Sequence, residues 1–280
     1  MTPNRPKLPP WIRVKVNPGP VRDEVNTLLA GLRLNTVCSG AQCPNQAECF
    51  HHRTATFMIM GASCTRDCRF CAVPHTAHPE SLEADEPERI AAAAAKLNLK
   101  YVVVTSVTRD DLPDGGAAHF ARTIRALQSL ESKPGVEVLT PDFKGELEHL
   151  RVVIDARPTV FNHNVETVER LSNEVRSQAT YRRTLAVLAN AARLGAGVVP
   201  VKSGLMVGLG ETDAEVEQTL RDLRDAGVTI LTIGQYLPPS NTHHPLARYV
   251  EPAQFDAWAA YAREIGFELV ASGPWVRKIG

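Results

Sequence analysis

The sequence predicts an α/β protein built on a partial TIM-type (β/α)6 barrel, with an N-terminal extension and a C-terminal tail covering the open face. Two patterns predict it. From Ala55 onward, short apolar runs alternate with segments of helical periodicity, the signature of repeated βα units. The repeats come to six or so, short of the eight that close a full barrel. A length of 280 residues fits one such domain with decorations. The predicted boundaries are an N-terminal wrap over 1–54, the barrel over 55–266 and a tail over 267–280.

In chain order, residues Met1 to Gly31 are proline-rich, with Pro3, Pro6, Pro9, Pro10, Pro18 and Pro20 resisting helix until about Val21. A short helix from about Val21 to Leu32 leads into an irregular segment, where Gly40 and Pro44 permit tight turns. The barrel opens with the strand ATFMIM. It continues through a helix near Pro87 to Leu97, the strand YVVVTS, a helix near Gly116 to Leu130, and the strand VEVLT. VVIDA and TVFN read as further strand runs. They are followed by a helix near Thr180 to Leu194, the strand PVKSGLMVGL, a helix near Thr212 to Ala226, the strand VTILTIGQY and a last helix near Pro252 to Ile265. The alanine run at 91–95 reads as helical core packing. No internal repeat is visible.

Composition removes several function classes. Lys plus Arg and Asp plus Glu both number 31, so a uniformly basic surface of the kind that points to nucleic acid is excluded. Hydrophobic residues at 44% and charged residues at 22% are ordinary for a globular chain. No run approaches the ~18 apolar residues of a membrane span, so no membrane partner is expected. The opening MTPNRPKLPPW lacks the apolar centre of a secretory signal, and a cytoplasmic location is expected.

The cysteines are specific. All six lie between Cys38 and Cys71. Cys38, Cys43 and Cys49 form C-x4-C-x5-C, and Cys64, Cys68 and Cys71 form C-x3-C-x2-C with Phe70 just before the last thiol. In a large chain expected to meet a reducing cytosol, this clustering favours metal over disulfides. Zinc is one reading, with His75 completing a Cys3His set around Cys64, Cys68 and Cys71. An iron–sulfur cluster is the other. Held by three thiolates it keeps one iron open, which suits chemistry at the metal rather than a structural staple.

CTRDCRFC resembles the cluster motif of the radical S-adenosylmethionine (SAM) superfamily, and CSGAQCPNQAECF resembles the auxiliary-cluster motif of the lipoyl synthase family. The likeness continues through TATFMIMG, YVVVTSVTRDDLPDGGAAHF, FNHNVETVERL, SGLMVGLGET and TIGQYLPPS, from about Trp11 to Arg277. It implies a (β/α)6 barrel, two [4Fe-4S] clusters and S-adenosylmethionine, which the open iron of the Cys64/Cys68/Cys71 cluster chelates. One electron cleaves that cofactor to a 5′-deoxyadenosyl radical, which takes hydrogen from C6 and C8 of a protein-bound octanoyl-lysine. The Cys38/Cys43/Cys49 cluster surrenders the sulfur and is consumed. The partners implied are octanoylated lipoyl-carrier domains or a glycine-cleavage H-type protein, reduced ferredoxin or flavodoxin, and an iron–sulfur carrier.

Two departures stand out. The family takes a fourth auxiliary ligand from a serine in Arg-Ser-Ser-Tyr, whereas here Arg277 is followed by Lys278, Ile279 and Gly280; Ser272 is out of register with that ligand. A lysine must lose its proton before it can ligate. The auxiliary site is thus open, differently ligated or incomplete. Ser39 also stands where the family usually has an acidic residue.

A barrel places chemistry at the C-terminal ends of its strands. Phe70, Thr105, Ser106, Asn162, Glu166 and Gln235 are therefore the candidate contacts for S-adenosylmethionine or substrate, and Arg109, Asp110 and Asp111 share the rim. His163 taken alone reads as a satisfied core or turn histidine. The Gly208-Leu209-Gly210 turn before Thr212 reads equally as ligand approach or as a capped helix start. His243 and His244, adjacent on a loop, read as surface or partner contacts rather than a metal pair. Two other functions share these thiols: a radical enzyme of the same fold that no longer inserts sulfur, and a noncatalytic iron–sulfur carrier or zinc module.

Overall fold

The computed structural model describes residues 8–12, 27, 29–36 and 54–276. Its centre is one sheet with eight strands in chain order. β1 (Asn35–Thr36) runs antiparallel to β2 (Thr54–Ile59). From β2 onward every pairing is parallel, through β3 (Tyr101–Ser106), β4 (Gly135–Leu139), β5 (Val160–Asn162), β6 (Val201–Val207), β7 (Ile230–Gln235) and β8 (Leu269–Gly273). Among the described residues no pairing joins β8 back to β1 or β2, so the wall is a barrel with an open seam.

Helices return the chain between strands: α1 (Glu86–Lys96), α2 (Ala117–Gln128), α3 (Leu147–Asp155), α4 (Glu169–Val175), α5 (Tyr181–Gly195), α6 (Asp213–Asp225) and α7 (Pro252–Glu264). Each longer helix buries residues three and four apart, such as Phe120, Ile124 and Leu127 of α2, or Val216, Leu220 and Leu223 of α6. They pack on the outward side of the strands, where Phe57, Ile59, Val102, Val104, Val136, Val138, Phe161, Leu231 and Ile233 are fully buried. α6 starts with a capping box, in which the Thr212 hydroxyl accepts from Glu215 N and the Glu215 carboxylate accepts from Thr212 N.

The inward side is different. Strand register aligns Thr105, Glu137, Asn162, Lys202, Gly204 and Thr232 on the opposite face, and most of them are polar. A sheet face that lines a ligand space has no need of a continuous apolar surface, whereas the helix-covered face does.

Three elements depart from the sequence reading. VVIDA is the end of α3 rather than a strand. Its β-branched run suggests a strand, but Leu150, Val153 and Ile154 fall on one helical face and are buried there. Residues Glu169–Val175 add a short helix that the pattern did not announce. A seventh parallel strand, β8, lies where the tail was placed; it is short and no residue of it is fully buried, so it carried little signal. Among the described residues, no helix is long and apolar enough to cross a membrane.

Candidate active site

The loop after β2 carries Cys64, Cys68 and Cys71, all free thiols of intermediate exposure. Four other parts of the chain hold this loop. Thr65 N and its hydroxyl both donate to Thr108 O at 3.0 Å beyond β3, and Asp110 N donates back to the Thr65 hydroxyl at 3.0 Å. Buried Arg66 forms a fork on Asp110, at 2.6 and 2.9 Å, and reaches Asp142 at 2.7 Å. Arg69 N donates to Val175 O at the end of α4, and Arg69 O accepts from His244 N at 2.8 Å in the loop after β7. Arg109 and Asp111 pair with each other at 2.7 Å, and Arg109 also reaches Met60 O. The charged rim residues are therefore engaged in holding the loop.

The donor set fits an iron–sulfur cluster. Backbone N–H groups of Arg66 and Thr108 point at Cys64 Sγ, at 3.4 and 3.3 Å, and Val73 N points at Cys71 Sγ at 3.5 Å. Such bonds stabilise bound thiolates and tune a cluster's potential. Burial pushes the Cys68 thiol up to about 11, with Arg176 opposing and the Cys71, Glu166 and Cys64 charges adding. Burial raises Cys71 as well. Thiols of this kind stay protonated at neutral pH until a metal displaces the proton.

Beside the loop lies a cavity of about 300 Å³. Phe70 forms one side. Asn164 and Glu166 beyond β5, Gly204 and Thr232 on the inner strand face, the end of β7 and Val276 form the rest. A methyl group on Gly204 would meet Thr232 Oγ1 at 2.4 Å and Asn164 Oδ1 at 3.1 Å, so the wall is open there only because a side chain is missing. Glu166 has a left-handed backbone, φ 66°, and is laced to β6 through Glu166 N to Gly204 O at 3.0 Å and Met206 N to Glu166 O at 2.8 Å. The left-handed backbone thus places Glu166 at the edge of the cavity, tied on both sides to β6. Burial raises its carboxyl pKa, against the Arg176 guanidinium and a bond from Asn164.

Of the six candidate contacts, the structure gathers Phe70, Glu166 and Gln235 around the cavity. The Gln235 side chain turns outward, its Nε2 facing Val207 O, Tyr236 O and Arg248 O and its Oε1 accepting from Val250 N, so it positions the wall. Thr105 donates to Leu139 O at 3.1 Å, and Asn162 Nδ2 donates to buried Glu137 at 3.0 Å, both in the barrel interior. Ser106 falls on the outer face, its buried hydroxyl without a partner. His163 is a core histidine, with Nδ1 donating to Thr140 O at 2.8 Å and Nε2 facing Thr184 Oγ1 at 3.3 Å. At Gly208-Leu209-Gly210 the buried Glu211 carboxylate accepts from Gly208 N and Leu209 N, fixing the turn ahead of α6. Gly204, Thr232 and Val276 were not singled out from sequence; strand alternation was the signal for the first two. Cys38, Cys43, Cys49 and Lys278 lie outside the described residues.

A profile described as the Radical SAM superfamily matches residues 58–223. A lipoyl synthase from Rubrobacter xylanophilus is 53% identical over 269 residues, covering 96% of this chain and 83% of its own. One from Caldanaerobacter subterraneus subsp. tengcongensis is 52% identical over 276 residues, covering 97% and 94%. Among solved structures, methylornithine synthase matches with a TM-score of 0.57 at 13% identity, covering 95% of this chain and 86% of its own, a likeness of fold alone.

Proposed function

This chain belongs to the lipoyl synthase family within the Radical SAM superfamily, and from that premise we propose which of its residues carry the reaction. It is a sulfur-inserting radical SAM enzyme that acts on an octanoylated carrier protein. In the proposed assignment, Cys64, Cys68 and Cys71 hold a [4Fe-4S] cluster, and S-adenosylmethionine lies in the cavity between Phe70 and the end of β7. When bound, these groups supply the one-electron chemistry that removes hydrogen from unactivated carbon.

The chain's own residues then place and enclose. Arg66, Thr65 and Arg69 keep the cysteine loop in one position against its neighbours. The bare strand at Gly204 lets a flat ligand approach the wall, with Asn164, Thr232 and Glu166 as polar partners at its edge. Phe70 and Val276 give the cavity apolar lining, which suits a space from which water is excluded. The observation that carries this reading is the adjacency of three free thiols on a clamped loop to a cavity at the C-terminal ends of parallel strands.

Cys38, Cys43 and Cys49 are assigned a second [4Fe-4S] cluster that donates the sulfur, inserted at C6 and C8 of the octanoyl chain. The acceptor is a lipoyl-carrier domain or a glycine-cleavage H-type protein. Reduced ferredoxin or flavodoxin supplies electrons, an iron–sulfur carrier rebuilds the second cluster, and the setting is the cytoplasm. One observation favours a second reading: Lys278 stands where the family's serine ligand is expected, which suits an enzyme that cleaves S-adenosylmethionine without inserting sulfur.

Anaerobic reconstitution with iron and sulfide, followed by reductant, S-adenosylmethionine and an octanoyl-lysyl peptide, separates the readings by mass spectrometry. Lipoyl peptide together with 5′-deoxyadenosine is the expected result; deoxyadenosine with unmodified peptide supports the second reading. Cys68→Ala is expected to abolish deoxyadenosine, whereas Cys43→Ala retains part of it and loses sulfur insertion. Equal losses in the two variants would overturn the division of labour.

A further inference from the structure

The histidine pair read from sequence as a surface feature grips the cysteine loop. His243 Nε2 lies 3.1 Å from the carbonyl oxygen of Cys71, and its Nδ1 lies 2.8 Å from Ser240 Oγ. A carbonyl only accepts, so Nε2 carries the proton toward Cys71. In the neutral ring Nδ1 then accepts from the Ser240 hydroxyl, which fixes the tautomer. One residue on, His244 N donates to Arg69 O at 2.8 Å. The His244 ring is buried, with Nε2 3.3 Å from Glu174 Oε1, and its carbonyl accepts from the Tyr236 hydroxyl at 2.8 Å.

Consecutive residues of one loop thus hold the carbonyls of Arg69 and Cys71. These flank Phe70, which faces the cavity, and Cys71 itself closes a turn through its N–H to Cys68 O at 3.0 Å. The holding loop is also continuous with the opposite wall, because Gly234, Gln235, Tyr236 and Leu237 line the same cavity. Wall and cysteine loop are tied from outside the space between them. Adjacent histidines whose side chains diverge suit this: one ring reaches the loop, while the other packs beneath Tyr236 with ring centroids 6.3 Å apart.

We propose that His243 is a positioning residue, whose Nε2–H bond to the Cys71 carbonyl sets the Cys71 thiol and the Phe70 ring against the β7 wall of the cavity. The bond acts through the backbone of a ligand residue, as hydrogen bonds around a metal site orient its ligands. The proposal rests on the assignment of Cys64, Cys68 and Cys71 to the cluster, and its test separates the two.

The variants are His243→Ala, which removes the donor; His243→Gln, whose amide nitrogen restores one near the Nε2 position; and Ser240→Ala, which frees the tautomer. Two readouts are made on the full chain. In metal-free reduced protein, the rate of Cys71 alkylation by iodoacetamide is followed by peptide mass spectrometry. In reconstituted protein, iron content, the midpoint potential and the change in the electron paramagnetic resonance spectrum on titrating S-adenosylmethionine are measured.

In His243→Ala, alkylation of Cys71 should rise about fivefold and S-adenosylmethionine binding should weaken by about the same factor, the size expected for one lost hydrogen bond, with iron content unchanged. His243→Gln should restore both, and Ser240→Ala should fall between. If His243→Ala matches the parent in both readouts, the tether has no role. If Gln behaves like Ala, the ring acts by packing and the hydrogen-bond assignment is overturned. If the parent takes up no iron that Cys68→Ala fails to bind, the cluster assignment falls, and the alkylation comparison still decides the tether.

Discussion

Replacing Lys202 by Met tests whether the charged layer inside the barrel is a balanced unit. Lys202 Nζ lies 2.7 Å from Glu137 Oε1, with both side chains only 2% exposed. The same carboxylate accepts from Asn162 Nδ2 at 3.0 Å and from the Tyr101 hydroxyl at 3.2 Å. Burial and the Glu137 charge push the Tyr101 phenol up, so it remains a donor throughout the physiological range. Methionine keeps most of the volume of the lysine stem and removes the ammonium, leaving a buried carboxylate with two neutral donors. Breaking a buried pair from one side costs about 3–5 kcal/mol, and the surviving donors place this case near the lower end. At roughly 2.1 cal/mol/K of unfolding entropy per residue, a cost of about 3 kcal/mol in a chain of 280 residues lowers Tm by about 5 °C. Thermal melting followed by far-ultraviolet circular dichroism on metal-free protein measures it. Adding Glu137→Gln should recover most of the loss, because no unpaired charge remains. A Lys202→Met variant melting within about 1 °C of the parent, or a double variant whose losses simply add, would refute the argument that the layer is held by mutual compensation.

Stability should also follow the protonation of His163. Its burial depresses the ring from 6.5 to about 4, so between those values the unfolded chain binds a proton that the folded chain refuses. Stability therefore falls as pH drops from about 6.5 to about 4, by roughly 3 kcal/mol at 1.36 kcal/mol per unit. Asparagine at 163 keeps a donor for Thr140 O and has nothing to titrate; urea midpoints at pH 7 and pH 4.5 should converge in His163→Asn, and an unchanged pH dependence would count against the assignment. Gly204→Ala should weaken S-adenosylmethionine at least tenfold in a spectral titration while leaving iron content intact, since the added methyl collides with Thr232 Oγ1 at 2.4 Å. Partial recovery on adding Thr232→Ala would identify that collision as the cause; unaltered affinity would move the cofactor out of this cavity.

How much of this was legible beforehand depended on whether the interaction was local in the chain. Three thiols within eight residues, Cys64 to Cys71, are a statement about one loop, and spacing alone sufficed to mark them. Helices with a sustained apolar face, such as α2 and α6, were equally visible. VVIDA misled because its β-branched run mimics a strand while its partner Leu150, one turn back, supplies the helical face. The cavity is another matter. It draws on the loop after β2, the segment after β5, alternate residues of β6 and β7, and Val276, and only strand register brings Gly204 beside Thr232. The polar residues that reached beyond their own strands were the hardest to place. Arg66 and His243 look like ordinary surface residues in sequence. Each gains its role from a partner far along the chain: Asp110 and Asp142 for the first, the Cys71 carbonyl for the second. A parallel barrel makes such pairings inevitable, because every strand delivers its next loop to the same rim. It also explains why the cysteine loop is held so heavily. Thr65, Arg66 and Arg69 of that loop find partners beyond β3, beyond β4, at the end of α4 and beyond β7, and His243 adds a bond to the Cys71 carbonyl from the last of these segments.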